Sequence, residues 1–255
     1  MKPTFVFWGW VLPSWHVMYI VAALASWSLM LWLSRDRTAE FIREVRLMYS
    51  VCYVSGYFGA RLFSIAFESQ SPRWAEIFET GAMTMYGGLL GAILCGGSWL
   101  YGRCAPDKAI LFDLGMMGGL LAISIGRIGC FLNGDDFGVV SQAWYAVAFV
   151  SHASPETRVP IQLFESVVVF CIVMLGVRSW SFVQKNWGAG SLGLLLIAGY
   201  AGQRFINEFY RADPRGGFMF GYSPSQWVSI VCLICVLLSF IWKKLQRNRM
   251  DEKEG

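Results

Sequence analysis

The chain has 255 residues, 56% of them hydrophobic and only 15% charged, with 12 Trp, 19 Phe and a net charge of +4. Ordinary soluble domains carry about a quarter charged residues. With a mean hydropathy of +0.48, this composition excludes a soluble enzyme and predicts an all-α membrane protein.

A bilayer core is about 30 Å thick and takes about 20 apolar helical residues to cross. About seven such spans are read, at 11–33, 47–67, 81–101, 109–131, 160–177, 190–209 and 223–242, the fifth being the shortest. Lys2 and Ala23-Leu24-Ala25 could mark a cleaved signal segment. The apolar run instead continues to Leu33 and stops at Arg35 and Arg37, so it is read as a retained span. No linker or low-complexity stretch divides the spans, and a single polytopic domain over 1–255 is expected.

Basic residues set the orientation. Arg35, Arg37, Arg43 and Arg46 follow the first span, Arg103 and Lys108 the third, and Arg178 and Lys185 the fifth. Lys243, Lys244, Arg247, Arg249 and Lys253 lie in a charged tail, 243–255. The other side has Lys2, Arg73, Arg158, Arg211 and Arg215. The positive-inside rule then predicts an N-terminus outside and a C-terminus in the cytoplasm. Basic residues at span ends serve topology, and no nucleic-acid partner is implied.

Arg61, Arg127 and Arg204 remain inside spans, each in the outer third of a segment that runs outward. An arginine at mid-membrane costs about 2.5–3.5 kcal/mol on insertion scales. Snorkelling or a neighbouring carboxylate accounts for any one of them; three at matching depth point to a shared anionic partner. Tyr86, Gln162, Glu165 and Glu208 gather at the same level, and Asn133, Asp135 and Asp136 just beyond it. Glu208 is four residues after Arg204, on the same helix face. This asymmetry predicts a polar cavity facing the outer leaflet, whereas a transporter would place polar groups nearer mid-membrane.

The Gly87/Gly91 and Gly115/Gly119 pairs read as helix-packing positions. Gly87 and Gly88 beside Tyr86 could equally leave room for a lipid headgroup. The outer loop, 132–159, is the longest and holds His152, Glu156, Trp144-Tyr145 and Phe149, so an interfacial helix is expected there. Seven scattered cysteines read as small buried hydrophobes, Cys232 and Cys235 included. With only His16 and His152 beside them, no metal site and no cofactor is expected.

A guanidinium fork matches phosphate oxygens. The abundant phosphate at that depth belongs to phospholipid. The residues alone therefore reach a protein that binds an anionic lipid from the outer leaflet, and leave enzyme, transporter and receptor open.

Gly126-Arg127-Ile128-Gly129-Cys130-Phe131-Leu132-Asn133-Gly134-Asp135-Asp136-Phe137-Gly138 resembles the signature of the prolipoprotein diacylglyceryl transferases. Gly59-Ala60-Arg61, Tyr86-Gly87-Gly88, Pro160-Ile161-Gln162-Leu163-Phe164-Glu165, Arg204-Phe205-Ile206-Asn207-Glu208-Phe209-Tyr210-Arg211 and Ser225-Gln226 are similar to further family motifs, in order along most of the chain. The resemblance implies a bacterial inner-membrane enzyme, expected as a monomer, with its active site facing the outer leaflet. It implies transfer of the diacylglyceryl group of phosphatidylglycerol to the lipobox cysteine of a prolipoprotein signal peptide, with glycerol phosphate leaving. Arg127 and Arg204 would then take the phosphate, with Arg61 and Glu208 orienting them. Asn133, Gly134, Asp135, Gln162, Glu165, Gly87 and Gly88 would shape the substrate site.

The chain departs from the family pattern in places. Tyr86 stands where the family has a histidine, and a phenol of pKa about 10 is a poorer base. Trp15-His16 replaces a Tyr-Gly pair, so His16 could supply the imidazole. Cys130 replaces Asn, Asp135 replaces Glu, and the outer loop is short. These departures keep two further readings: a paralogue with a different acceptor, and a non-catalytic protein that binds anionic lipid.

Overall fold

The computed structural model describes residues 4–8, 10–67, 77, 83–102, 105–149, 156–212 and 219–254. Lys2, Arg73, Arg103, Cys104, His152 and Arg215 lie outside them. The chain divides into two compact units, Met1–Ser26 with Phe112–Gly255, and Trp27–Leu111. Among the described residues the architecture is seven α-helices with two short pairs of strands.

The larger unit begins with a hairpin, β1 (Thr4–Phe7) against β2 (Trp10–Pro13), antiparallel with Thr4 opposite Pro13. Helix α1 (Ser14–Ser34) follows directly. The first span therefore starts three residues later than expected, because Val11 to Pro13 are used as strand. Helix α4 (Ala105–Asn133) from Phe112 onward, α5 (Ile161–Trp187), α6 (Ser191–Asn207) and α7 (Pro224–Glu254) complete it, and α1 belongs to it up to Ser26.

Among the described residues, four helices are long and apolar enough to cross a membrane: Ser14–Ser34, Lys108–Asn133, Ile161–Trp187 and Pro224–Arg249. The fifth segment, expected to be shortest, is a 27-residue helix. It continues through Arg178 and Lys185 because nothing between Val177 and Trp187 breaks a helix, and it stops at Gly188, where φ is +81°. The charged tail is likewise helical, as the continuation of α7.

Helix ends are tied by side chains. Ser223 and Gln226 form a capping box at α7. The Ser223 N–H donates to Gln226 Oε1 at 3.0 Å and the Gln226 N–H to Ser223 Oγ at 3.3 Å, with Pro224 as the first helical residue. The start of α6 is capped from α4. The Gly190 and Gly193 N–H groups donate to the fully buried Asp113 at 3.0 and 2.7 Å. Lys243 of α7 donates to Ala189 O and Ser191 Oγ in the same corner, at 2.8 and 2.7 Å.

In the smaller unit, α2 (Ala39–Phe67) packs on α3 (Met85–Tyr101). Its first turns carry Glu40, Arg43, Glu44 and Arg46, which lowers its hydropathy. The two backbones approach through glycine. A Cβ at Gly91 would lie 3.2 Å from Gly59 Cα, and one at Gly88 3.3 Å from Gly56 O and 3.4 Å from the Ala60 side chain. Packing thus accounts for Gly87, Gly88 and Gly91. It does not account for Gly119, where a Cβ would meet nothing within 4 Å among the described residues. Gly119 sits on the exposed face of α4.

Two other expectations change. The described part of the outer loop holds no interfacial helix. Its backbone pairs as β3 (Val147–Ala148) with β4 (Thr157–Arg158), because Thr157 to Val159 offers an extended partner. The described cysteines are free, yet Cys95, Cys171 and Cys235 are exposed and Cys52, Cys130 and Cys232 half-buried. Cys95, Cys171 and Cys235 face outward on apolar helix surfaces, as do Leu237, Leu238 and Trp242, whereas Cys52 lies at the contact of α2 with α3 and Cys130 beside Asp135 and Asp136. In a bilayer such faces meet lipid, so an outward thiol needs no core.

Candidate active site

The end of α4 turns sharply. Gly134, at φ +88°, closes the helix by donating its N–H to Cys130 O at 2.9 Å. Asp136 then takes φ +58°, a conformation that Asp tolerates better than most residues. This double turn sends the Asp136 carboxylate back along α4 to Arg127.

Three chain segments meet just beyond. The Gly138 N–H donates to Val159 O at 3.1 Å, and the Val139 N–H to Tyr210 O at 3.0 Å. Gly138 also bridges to Arg211. A Cβ at Gly138 would come within 2.9 Å of Val159 Cβ and 3.0 Å of Tyr210 O, so the signature's last glycine is there for space. This pairing carries Arg211 to Asp136. The short 3₁₀ turn Glu208–Tyr210, continuing α6, sets its position.

The result is one charge cluster built from α4, α5, α6 and the loops. Arg127 Nη1 lies 2.6 Å from Asp136 Oδ2, and its Nε lies 3.0 Å from Glu165 Oε1. Arg211 pairs with the other Asp136 oxygen. Arg204 Nη1 stands 3.6 Å from Glu208 Oε2 and 4.0 Å from Glu165 Oε2, while its Nη2 donates to Ser225 Oγ at 3.2 Å. Glu165, only 1% exposed, thus sits between the two guanidiniums. Arg127 and Arg204 are themselves buried, at 6% and 7%.

Arg204 is incompletely satisfied. Its Nε and Nη1 are buried with no hydrogen-bond partner among the described residues. A buried donor left unpaired costs on the order of 1–3 kcal/mol, more for a charged group. That cost falls away when an acceptor enters.

The neighbouring polar residues hold one another. Asn133 Nδ2 donates to Asp135 Oδ2 at 2.8 Å, and Gln162 Nε2 donates to the Asp135 backbone carbonyl. Burial pushes the Asp135 carboxyl above its ordinary value, against the Asn133 hydrogen bond. Burial acts the same way on Asp136, but the Arg127 and Arg211 guanidiniums overcome it and hold that carboxyl below the ordinary value. Ligand atoms of Cys130, Asp135 and Asp136 lie within 4.8 Å of one another, close enough for a cation. Both Asp136 oxygens, however, are already committed to arginines.

His16, on the first turn of α1, stacks on Trp15 with centroids 3.5 Å apart. The same turn packs on α4, since a Cβ at Gly129 would lie 3.1 Å from Met18 Cβ and 3.5 Å from Trp15 Cα. Arg61 (4% exposed) and Tyr86 (41% exposed) belong to the smaller unit, with Gly87 and Gly88. There Thr84 donates its N–H to Ala60 O at 3.3 Å, tying the start of α3 to α2 beside Arg61.

Among the predicted residues, Arg127, Asn133, Asp135, Gln162, Glu165, Arg204 and Glu208 thus come together. Sequence reasoning places Asp136 just beyond the arginine level and Arg211 among the outer-side charges, but gives neither of them a partner or a role. Their pairing spans 75 residues and depends on backbone turns.

These features define a helical protein, with helices apolar enough for a membrane, that holds two buried guanidiniums on a carboxylate scaffold. The chain belongs to the prolipoprotein diacylglyceryl transferase family, whose model matches residues 4–242. It is 27% identical over 240 residues to the phosphatidylglycerol–prolipoprotein diacylglyceryl transferase of Dehalococcoides mccartyi strain 195, covering 91% of this chain and 88% of the relative. Enzymes of the same name from Nitratidesulfovibrio vulgaris (29%; 94% and 90% covered) and Vibrio atlanticus (28%; 99% and 94% covered) are similarly related.

Proposed function

We propose that this chain transfers the diacylglyceryl group of phosphatidylglycerol to the cysteine thiol of a prolipoprotein. The observation that carries the reading is the buried Arg204 guanidinium, whose Nε and Nη1 make no hydrogen bond among the described residues although Nη1 is ion-paired at 3.6–4.0 Å. A phosphate oxygen satisfies those donors. In the reaction the thiolate sulfur bonds to the glyceryl carbon and the carbon–oxygen bond to phosphate breaks. Glycerol phosphate leaves with the electron pair, so negative charge grows on the phosphate. Fixed arginines stabilise that charge more than the ground-state diester.

Glu165, Glu208 and Asp136 act as positioning residues. They hold Arg127 and Arg204 by ion pairs of 2.6–4.0 Å. Asn133, Gly134, Asp135 and Gln162 shape the wall of the site, and the family resemblance assigns Arg61, Gly87 and Gly88 to substrate binding. His16 or Tyr86 receives the thiol proton. In this reading all seven helices span the bacterial inner membrane. The N-terminus and the arginine cluster lie toward the outer leaflet, the C-terminus is cytoplasmic, and the chain works as a monomer.

The test is a transfer assay in liposomes with phosphatidylglycerol and a lipobox peptide. Lipidated peptide and glycerol phosphate are expected in equal amounts, with both lost in Arg204→Ala. Phosphatidylglycerol binding without either product refutes transfer to a prolipoprotein and directs the search to another acceptor. Full activity in both His16→Gln and Tyr86→Phe refutes the base assignment.

A further inference from the structure

The ends of α5, α6 and α7 remote from the arginine cluster enclose a second feature. A cavity of about 450 Å³ is lined by Asn186, Trp187, Phe240, Lys243, Lys244 and Arg247, with Leu195 behind them. None of its lining residues is acidic. Trp187 and Phe240 meet edge to face at 6.0 Å and form an aromatic wall.

Two of the three cations are anchored. Lys243 donates to Ala189 O and Ser191 Oγ at 2.8 and 2.7 Å, and Arg247 reaches Asn186 O at 3.5 Å. Lys243 and Arg247 are four residues apart, so like charges share one face of α7, which is unfavourable without an anion. Asp113 offsets Lys243 from behind. Lys244 is exposed and has no ion pair among the described residues.

Distance fixes the level of this cavity. Glu165 and Trp187 lie on the same helix, 22 residues apart, or about 33 Å at 1.5 Å per residue. That is about one hydrocarbon core. Between the two sites, α5 and α7 expose Phe182, Leu237 and Leu238, an apolar track suited to acyl chains.

We propose that this cavity is a second binding site for an anionic phospholipid, in the leaflet opposite the arginine cluster. The lipid phosphate sits among Lys243, Lys244 and Arg247, the glyceryl region lies against Trp187 and Phe240, and the chains follow α5 and α7. Basic pockets at cytoplasmic helix ends take anionic headgroups by the same physics. The inference rests on the reading that these helices cross the bilayer, and is independent of transfer chemistry.

The test counts retained lipid by native mass spectrometry. The full chain is reconstituted into phosphatidylcholine nanodiscs doped with phosphatidylglycerol. Wild type is expected to retain two phosphatidylglycerol molecules. Lys244→Gln/Arg247→Gln should hold one of them roughly 10- to 30-fold more weakly, with thermal unfolding and liposome transfer unchanged. Arg204→Ala should lose the other; its failure to do so counts against the arginine site and leaves the cavity result standing. The control Lys185→Gln/Arg249→Gln makes the same charge change outside the cavity. Unchanged retention in Lys244→Gln/Arg247→Gln, or an equal loss in the control, overturns the proposal. So does displacement by inorganic phosphate at equal concentration, which assigns the cavity to a free phosphate.

Discussion

Replacing Glu165 by Gln keeps the shape of the side chain and removes its charge. Glu165 is 1% exposed and faces Arg127 at 3.0 Å and Arg204 at 4.0 Å. Without it, the three buried guanidiniums of Arg127, Arg204 and Arg211 face only two carboxylates, Asp136 and Glu208. Removing one partner of a buried pair costs about 3–5 kcal/mol, a large part of the 5–15 kcal/mol that holds a typical domain. For a chain of this size that lowers the melting temperature by roughly 6–20 °C. The assay is intrinsic tryptophan fluorescence in detergent during heating. The second variant, Arg127→Gln with Glu165→Gln, removes the charges together and should lose less than the sum of the single changes. A Glu165→Gln protein that melts within 2 °C of wild type would show that Glu165 is not the counter-ion, and the reasoning would fall with it.

Asp136 and Asp135 should respond to acid in opposite ways. The Asp136 carboxyl is lowered in the folded protein, so its stabilisation is present above the ordinary value of 3.8 and is lost as pH falls through the folded value. The melting deficit of Asp136→Asn should therefore be full at pH 6 and shrink below about pH 4. The Asp135 carboxyl is raised, so its charge costs stability at neutral pH, and Asp135→Asn should melt at or above wild type there. Gly138→Ala forces a Cβ against Val159 and Tyr210 O, and should cost about 1–3 kcal/mol in stability. Limited proteolysis should then cut the 137–141 loop faster than in wild type. Asp113→Asn removes the charge behind two backbone N–H bonds and Lys243. It should lower stability by about 1–3 kcal/mol, read as earlier unfolding in the same heating assay.

Much of this arrangement is legible in the sequence. Apolar runs located all seven helices, and the i, i+4 spacing of Arg204 and Glu208 announced their pairing. Burial cost singles out Arg61, Arg127 and Arg204, all three of which are buried. What sequence could not show was how Arg127 is neutralised. Asp136 is nine residues away, beyond any helical spacing, and reaches back only because Gly134 and Asp136 both adopt positive φ. Arg211 looked like a charge at a span end, since its role depends on pairing between residues distant in sequence. Hydropathy alone ends a span too early where charged residues continue the helix, as at Arg178 and Lys185 of α5. The glycine pairs divided for a related reason: Gly87/Gly91 faces a partner helix, Gly119 does not, and spacing alone cannot tell which face is occupied.

The short-range pairs in the arginine cluster also bear on how the chain is made. Arg127 finds Asp136 nine residues later, and Arg204 finds Glu208 four residues later. In the proposed topology, the segments that carry Arg127 and Arg204 thus each leave the ribosome with a counter-ion and enter lipid largely neutralised. Glu165, from the intervening helix, joins when the segments assemble. The order of synthesis then matches the order of charge compensation. A glycosylation-reporter insertion assay on α6 with residues 208–212 should lose efficiency when Glu208 is changed to Ala, because Arg204 would cross unaccompanied at a cost of about 2.5–3.5 kcal/mol at the centre of the bilayer.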